Sequence, residues 1–357
     1  MFLAWNEIRH DKLRYTLIIG VMFLIAYLVF FLTGLAYGLA QEYRMAIDKW
    51  DADGIVLASE ANDNLNMSML TLATQDKIKD AETASLGETA GVITTDDSKE
   101  KIDTTIFGIE KDEFIMPNLT EGRAFSKTGE AVVDSSLKEE DSIELGDTLH
   151  LSGSDEDLTV VGFTDNARFS VAPVLYVSTD TYQKIRFEQS DTSENARVNA
   201  FIVKGNLDDV TLDSDDLELT DIESFIYALP GYRAQVLTFG FMIGFLIVIA
   251  AIVIGIFIYV LTIQKQNIFG VMKAQGISSR YIANSVLLQT FLLAFIGVTI
   301  GLLATIGTSL VLPAAVPFQV NWLFFMGITA SMLVVAILGA FFSVRSVTKI
   351  DPLKAIG

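Results

Sequence analysis

The sequence predicts an α-helical membrane protein with four transmembrane helices in 1+3 order and a large α+β extracellular domain inserted between helices one and two. Three observations predict this. Residues 15–41, 234–264 and 281–344 contain no Asp, Glu, Lys or Arg. A bilayer core takes about 20 apolar helical residues per crossing, so the three stretches hold one, one or two, and two crossings. The block between the first and second stretches is polar and carries a net charge of −25 over residues 41–233. The remaining segments are basic: Arg9, Lys12 and Arg14; Lys265, Lys273 and Arg280; Arg345, Lys349 and Lys354. Only Glu7, Asp11 and Asp351 oppose them.

Short basic segments stay in the cytoplasm. All three therefore face inward and the acidic block faces outward. Four crossings put both termini in the cytoplasm, whereas three would strand the basic C-terminal tail outside. The expected location is the cell (plasma) membrane, multi-pass. An acidic exterior domain argues against nucleic acid as a partner; solubility beside a charged surface is its plainest use. The chain has no Cys, which excludes disulfides and thiolate metal sites.

Taken in order, residues 1–14 read as a cytoplasmic amphipathic helix, with Phe2, Trp5 and Ile8 at three-residue spacing. Residues 15–44 are the first crossing and its outward extension. Its apolar run exceeds the ~7–15 residues of a signal-peptide core, so a retained helix is expected. Residues 45–232 form the outer domain. Within it 54–57, 105–109, 130–134, 158–162, 174–177 and 200–203 read as strands. Thr179-Asp180 caps a helix running to Phe187, the polar region 59–82 is expected to be helical, and acid-dense 208–221 is expected to be an exposed loop. Pro230-Gly231 breaks the chain before the second crossing, 233–263. A cytoplasmic segment (264–282), the third crossing (283–312), a short outer loop (313–321), the fourth crossing (322–344) and a cytoplasmic tail (345–357) complete the order. Gly34/Gly38, Gly240/Gly244 and Gly297/Gly301 are Gly-x-x-x-Gly pairs that allow close helix approach, within one four-helix unit or at a dimer seam.

Catalytic chemistry is missing from the pattern. No Gly-Lys pair exists to make a phosphate-binding loop, and no H-E-x-x-H or Gly-x-Ser-x-Gly occurs. His10 and His150 fall on opposite sides of the membrane, so neither a dyad nor a two-His metal site is expected. No Asp, Glu, Lys, Arg or His lies at the centre of a crossing, which argues against an ion-coupled pump. Energy for uphill movement must come from a partner.

The partner's place is the segment from Gln264 to Ile282. Ile268, Val271 and Met272 line one helical face, Gly276 can end the helix in a left-handed cap, and Ser278 can cap the next. This segment resembles the signature of FtsX/MacB-type (type VII) ABC transporter permeases at Gly270, Lys273, Ala274, Gly276, Ser278 and Ile282. Gln266-Asn267 departs from the Arg-Glu that the family often carries just ahead of that glycine. Arg345 through Asp351-Pro352 to Ala355-Ile356, Leu3-Ala4 through Arg14, and Glu130-Ala-Val-Val-Asp134 with Gly146-Asp147 and Val160-Val161-Gly162 resemble further motifs of the family.

The resemblance implies a homodimer in membrane lipid with two copies of a cytoplasmic ABC ATPase subunit that binds the ATP. That ATPase would push a coupling helix (Gln266, Ile268, Phe269, Gly270, Met272, Lys273, Ala274 and Gly276) and relay motion to the outer domains. The chain itself would be a transporter subunit, not an enzyme, with no covalently bound cofactor. Size and arrangement most resemble the haem-exporting, HrtB-like permeases, which implies haem as cargo. Haem needs aromatic faces, an iron ligand and cations for its propionates. Glu42, Tyr43, Arg44 and Met45 above helix one, Tyr227, Tyr232 and Arg233 before helix two, and Arg168 and Phe169 in a loop are the candidates. Anchoring of Tyr and Arg at helix ends is the alternative explanation for them. Export of a peptide, drug or lipid-like molecule, or regulation of a cell-wall hydrolase without transport, stay open.

Overall fold

The computed structural model describes residues 12–96 and 98–348. The segment 1–11 and the end of the tail, 349–357 with Asp351-Pro352, lie outside the described residues. In chain order the α-helices are α1 Lys12–Asp48, α2 Ser136–Asp141, α3 Thr179–Phe187, α4 Ile222–Ala228, α5 Tyr232–Gln264, α6 Gln266–Ala274, α7 Ser279–Ser309 and α8 Trp322–Thr348. The chain divides into two units, residues 1–38 with 237–357, and residues 39–236.

The first unit is helical. Among the described residues four helices, over Tyr15–Asp48, Tyr232–Gln264, Ser279–Ser309 and Trp322–Phe341, are long and apolar enough to cross a membrane. Lipid tails are as apolar as Leu, so such helices associate through close packing at small residues. Gly297 and Gly301 of α7 face Met22 and Ala26 of α1, and Gly339 of α8 meets the backbone of Gly255 of α5. Gly34 and Gly38 do not meet a helix; they receive Phe318 and Pro317 from the α7–α8 connection. A Cβ on Gly240 or Gly244 would meet nothing within 4 Å among the described residues. The core combines Met22, Ala26, Val29 and Phe30 with Ile254, Leu293, Val298, Met332 and Ala336.

The second unit is α+β. Its longer strands are β1 Gly54–Ala58, β2 Glu82–Thr95, β3 Ile102–Ile109, β4 Glu130–Asp134, β5 Thr148–Leu151, β6 Asp157–Thr164, β7 Ala172–Ser178, β8 Ala200–Lys204 and β9 Leu217–Asp221. Six of them close a ring. β2 pairs antiparallel with β3, β3 parallel with β7, and β7 antiparallel with β4. β4 then pairs parallel with β6, β6 antiparallel with β5, and β5 antiparallel with β2. The first residues of β2 leave the ring and pair with β8, which continues through β1 to β9 as an open sheet. Side chains alternate across a strand. Ile106, Leu149, Leu158, Val160, Leu175 and Val177 therefore share one apolar cluster. Phe107, Val132, Val174 and Tyr176 share another with Ile47, Trp50, Phe225 and Ile226.

Two expectations are corrected. Residues 59–82 hold no α-helix, only 3-10 turns at Ser59–Ala61, Leu65–Met67 and Leu72–Lys77 with short strands between. Ser68 Oγ accepts from Ala58 N and donates to Asn199 O, and Asn199 Nδ2 donates to Leu65 O and Ser68 O. Those side chains satisfy backbone groups that a helix would have paired internally. Residues 208–221 are not a loop throughout, because Leu217–Asp221 is the last strand of the open sheet, in register with Gly54–Ala58.

Candidate functional site

In the unit of residues 39–236, the candidates from α1 and from the α4–α5 junction come together. Asp221 caps α4, its carboxylate accepting from Ser224 N at 2.9 Å. Glu223 and Tyr227 then stand one turn apart on one face of α4. Glu223 accepts two hydrogen bonds from the Arg44 guanidinium, at 2.6 and 3.1 Å. Arg44 also donates to Asp48 at 2.8 Å, so its fork is shared between two carboxylates. The hydrogen bond from Arg44 holds the Glu223 carboxyl below its ordinary range. Tyr227 packs edge-on to Tyr232 at 5.9 Å between ring centroids, and Tyr232 lies 5.7 Å from Tyr43.

Gly231 makes this tyrosine cluster possible. Its φ is +86°, and a Cβ there would stand 3.3 Å from Tyr43 Oη. Glycine avoids both the left-handed penalty and the crowding.

Glu42 is 9% exposed and faces Arg168, Nη1 to Oε1 3.7 Å. Arg168 also donates to Glu140 at 2.5 Å and to Val171 O at 3.3 Å. Arg168 and Phe169 are not in an open loop. They form a two-residue strand paired with Pro173 and Ala172, and Ser170 N and Val171 N donate to the carbonyls of Tyr43 and Glu42. Phe169 is 4% exposed and edge-on to Phe107 at 5.3 Å, part of the core. Met45 is half-buried and Arg233 exposed. The arrangement thus offers a carboxylate beside an arginine, a three-ring tyrosine cluster and one exposed guanidinium. Glu140 and Glu223 escaped the sequence reading. Asp221 as a helix cap could have pointed to Glu223; nothing marks Glu140 within its acidic run.

In the helical unit, α6 is set off from α5 by Lys265, whose ψ of 4° breaks the helix. Phe269 is 3% exposed, and Gly270 is buried beside it. Met272 packs on the same core, so it belongs to the inward face and not with Ile268 and Val271. Those two are 55% and 43% exposed. Gln266 and Ala274 are also exposed, and Lys273 is half-buried. The end of α6 is a left-handed glycine cap: Gly276 has φ +89°, its N–H donates to Lys273 O at 2.9 Å, and Ile277 N donates to Met272 O at 3.0 Å. Ser278 Oγ accepts from Tyr281 N at 3.3 Å and starts α7. Among the described residues no group of three His, Cys, Asp or Glu could hold a metal ion.

Residues 15–213 match the MacB-like periplasmic core domain family, and residues 240–352 match the FtsX-like permease C-terminal family. A protein of Staphylococcus epidermidis named as hemin transport system permease protein HrtB is 28% identical over 100% of this chain and 99% of its own length. The protein of the same name from Staphylococcus haemolyticus is 26% identical over the same shares. An uncharacterized ABC transporter permease of Mycobacterium tuberculosis is 22% identical over 100% of this chain and 99% of its own. Among solved structures, the periplasmic region of MacB from Actinobacillus actinomycetemcomitans is similar at 14% identity and a TM-score of 0.35. It covers 48% of this chain and 90% of that one.

Proposed function

The chain belongs to the family of FtsX-like permeases with a MacB-like periplasmic core domain, and from that premise we propose that it is the membrane subunit of an ATP-driven exporter whose cargo is haem. The observation that carries the cargo is the meeting of Tyr43, Tyr227 and Tyr232, with Glu42, the chain neighbour of Tyr43 on α1, facing Arg168. Tyrosine faces suit a porphyrin plane, and a carboxylate or phenol oxygen can ligate ferric iron. Guanidinium groups suit propionates through paired N–H donors. Arg233 is exposed and ready for that role, while Arg44 and Arg168 must first leave Glu223 and Glu140. The names of the full-length Staphylococcus relatives support the same cargo.

In this reading the acidic domain of residues 39–236 is extracellular and both termini are cytoplasmic. Two copies of the chain, held in membrane lipid, meet two copies of a separate ATPase that brings the ATP. The ATPase would engage α6 through exposed Ile268 and Val271, and α1 and α5 would carry the stroke. Purified protein mixed with haem is expected to shift the Soret band, with the shift weakened by Glu42→Ala and by Tyr232→Ala. A wild-type protein that leaves the Soret band unmoved at saturating haem would overturn the cargo.

A further inference from the structure

A buried polar cluster lies in the helical unit where α1, α7 and the α5–α6 bend meet. Lysine at a helix end normally extends its ammonium to water or headgroups. Lys265 does the opposite: it is 8% exposed, and its Nζ donates to Tyr15 Oη at 2.7 Å. The same Nζ lies 5.5 Å from the centroid of the Tyr15 ring. Gln289 of α7 is 7% exposed and donates Nε2 to the same Oη at 2.5 Å. A tyrosine oxygen has lone pairs for both donors. Tyr15, 1% exposed, is thus a single acceptor that gathers one donor from the bend and one from α7.

Burying an ammonium is costly unless it is satisfied, so Lys265 is poorly explained as a space-filling residue. The cavity beside it, about 10 Å³ between Ile258, Phe269 and Leu293, is far below the ~300–1,000 Å³ of a ligand pocket. This excludes a cargo site. The backbone places the lysine at the one interruption between α5 and α6: Lys265 N reaches Leu261 O and Thr262 O at 3.3 Å each, and Phe269 N donates to Lys265 O at 3.0 Å. Phe269 and Met272 seat α6 on the core shared with α1, but apolar packing is non-directional and leaves α6 free to pivot at the bend. Side-chain bonds across the bend remove that freedom.

We propose that Lys265 is a positioning residue that, through Tyr15 and Gln289, ties the start of α6 to α1 and α7, so that displacement of α6 passes to α1 instead of being absorbed at the bend. The transport consequence rests on the exporter reading above; the mechanical tie does not. The experiment separates the two. The chain has no Cys, so spin labels at Ile268→Cys and Leu24→Cys, both exposed positions, report one distance in the full chain in nanodiscs. Tyr15→Phe and Lys265→Met are expected to broaden that distance distribution, and Lys265→Arg to restore most of it. With the ATPase reconstituted, the same two variants are expected to lower haem exported per ATP hydrolysed by about tenfold, within the range of ordinary coupling energies. Unbroadened distances in correctly folded Tyr15→Phe and Lys265→Met overturn the tie. Broadened distances in a protein whose wild type neither recruits an ATPase nor exports haem leave the tie standing and remove the exporter reading.

Discussion

A Cβ built on Gly301 would stand 2.8 Å from Ala26 Cβ and 2.9 Å from Tyr27 N, so α7 and α1 are in backbone contact at this level. One turn earlier, a Cβ on Gly297 would stand 2.5 Å from Met22 Cβ. Gly301→Leu is therefore expected to force the helices apart and destabilise the helical unit by about 1–3 kcal/mol, the usual cost of overpacking. A Cβ on Gly240 or Gly244 would meet no atom within 4 Å among the described residues, so Gly240→Leu and Gly244→Leu are expected to perturb the monomer's stability far less. Thermal unfolding in detergent distinguishes the sites. Loss of dimer at Gly244→Leu without loss of melting temperature would identify α5 as the seam.

Acidity should stabilise the unit of residues 39–236. Glu88 is 3% exposed, and its Oε2 has no hydrogen-bond partner among the described residues. Burial raises its carboxyl from 4.5 to about 7, against smaller lowering from Arg186 and an Asn66 hydrogen bond. The folded state thus holds a proton that the unfolded state has lost between about pH 4.5 and 7, and stability falls as pH rises through that window. His150 acts in the same direction. Its ring nitrogens lie 2.9 Å from Asp96 and 2.8 Å from Asp157, whose hydrogen bonds raise its pKa. What it contributes is full below its ordinary ~6.5 and lost as pH rises through the raised value. Denaturant melts of the full chain at pH 5 and pH 8 should differ, and Glu88→Gln with His150→Gln should reduce the difference, the remainder coming from groups such as Glu113, which burial also raises.

The left-handed cap at Gly276 sets where α7 begins. Gly276→Ala places a Cβ at φ +89° and is expected to cost about 1–2 kcal/mol, felt first as fraying of α6. Gly276→Asn should be milder. Hydrogen exchange over residues 266–277 checks this.

Ile268 and Val271 are exposed on α6 while Phe269 and Met272 anchor its other face. Ile268→Asp and Val271→Asp are expected to abolish recovery of an ATPase subunit with the permease while leaving expression and melting temperature intact. Phe269→Asp should lower both expression and stability. Retained ATPase in Ile268→Asp/Val271→Asp would move the docking surface elsewhere.

The membrane helices were legible because lipid forbids charge for whole helix lengths, and the Gly276 and Ser278 caps were legible because both act within a few residues. Strand β2 was not legible. Its run from Glu82 to Thr95 has no clean alternation and contains Gly87 and Gly91. Gly87 exists there because a Cβ would stand 2.5 Å from the Tyr182 ring, which also lies across Gly108. A residue almost a hundred positions away decides that strand. The Tyr43–Tyr232 meeting could be anticipated from two helix ends, but the engagement of Arg44 by Glu223 could not. Lys265 read as one more cytoplasmic charge, because Tyr15 and Gln289 look like ordinary members of apolar runs.

The six-stranded ring has a cost during biogenesis. Its parallel pairs join Ile102–Ile109 to Ala172–Ser178 and Glu130–Asp134 to Asp157–Thr164, and β1 must wait for β9, which ends at Asp221. At ~5–20 residues per second, synthesis of that span takes roughly ten to thirty seconds. Local pairs such as Glu82–Thr95 with Ile102–Ile109 can form early, but Ile102–Ile109 lacks Ala172–Ser178, and Gly54–Ala58 lacks both of its neighbours, until late in that span. The domain is therefore expected to finish folding only once Asp221 has been made, and chains truncated ahead of Leu217–Asp221 should be the ones that aggregate.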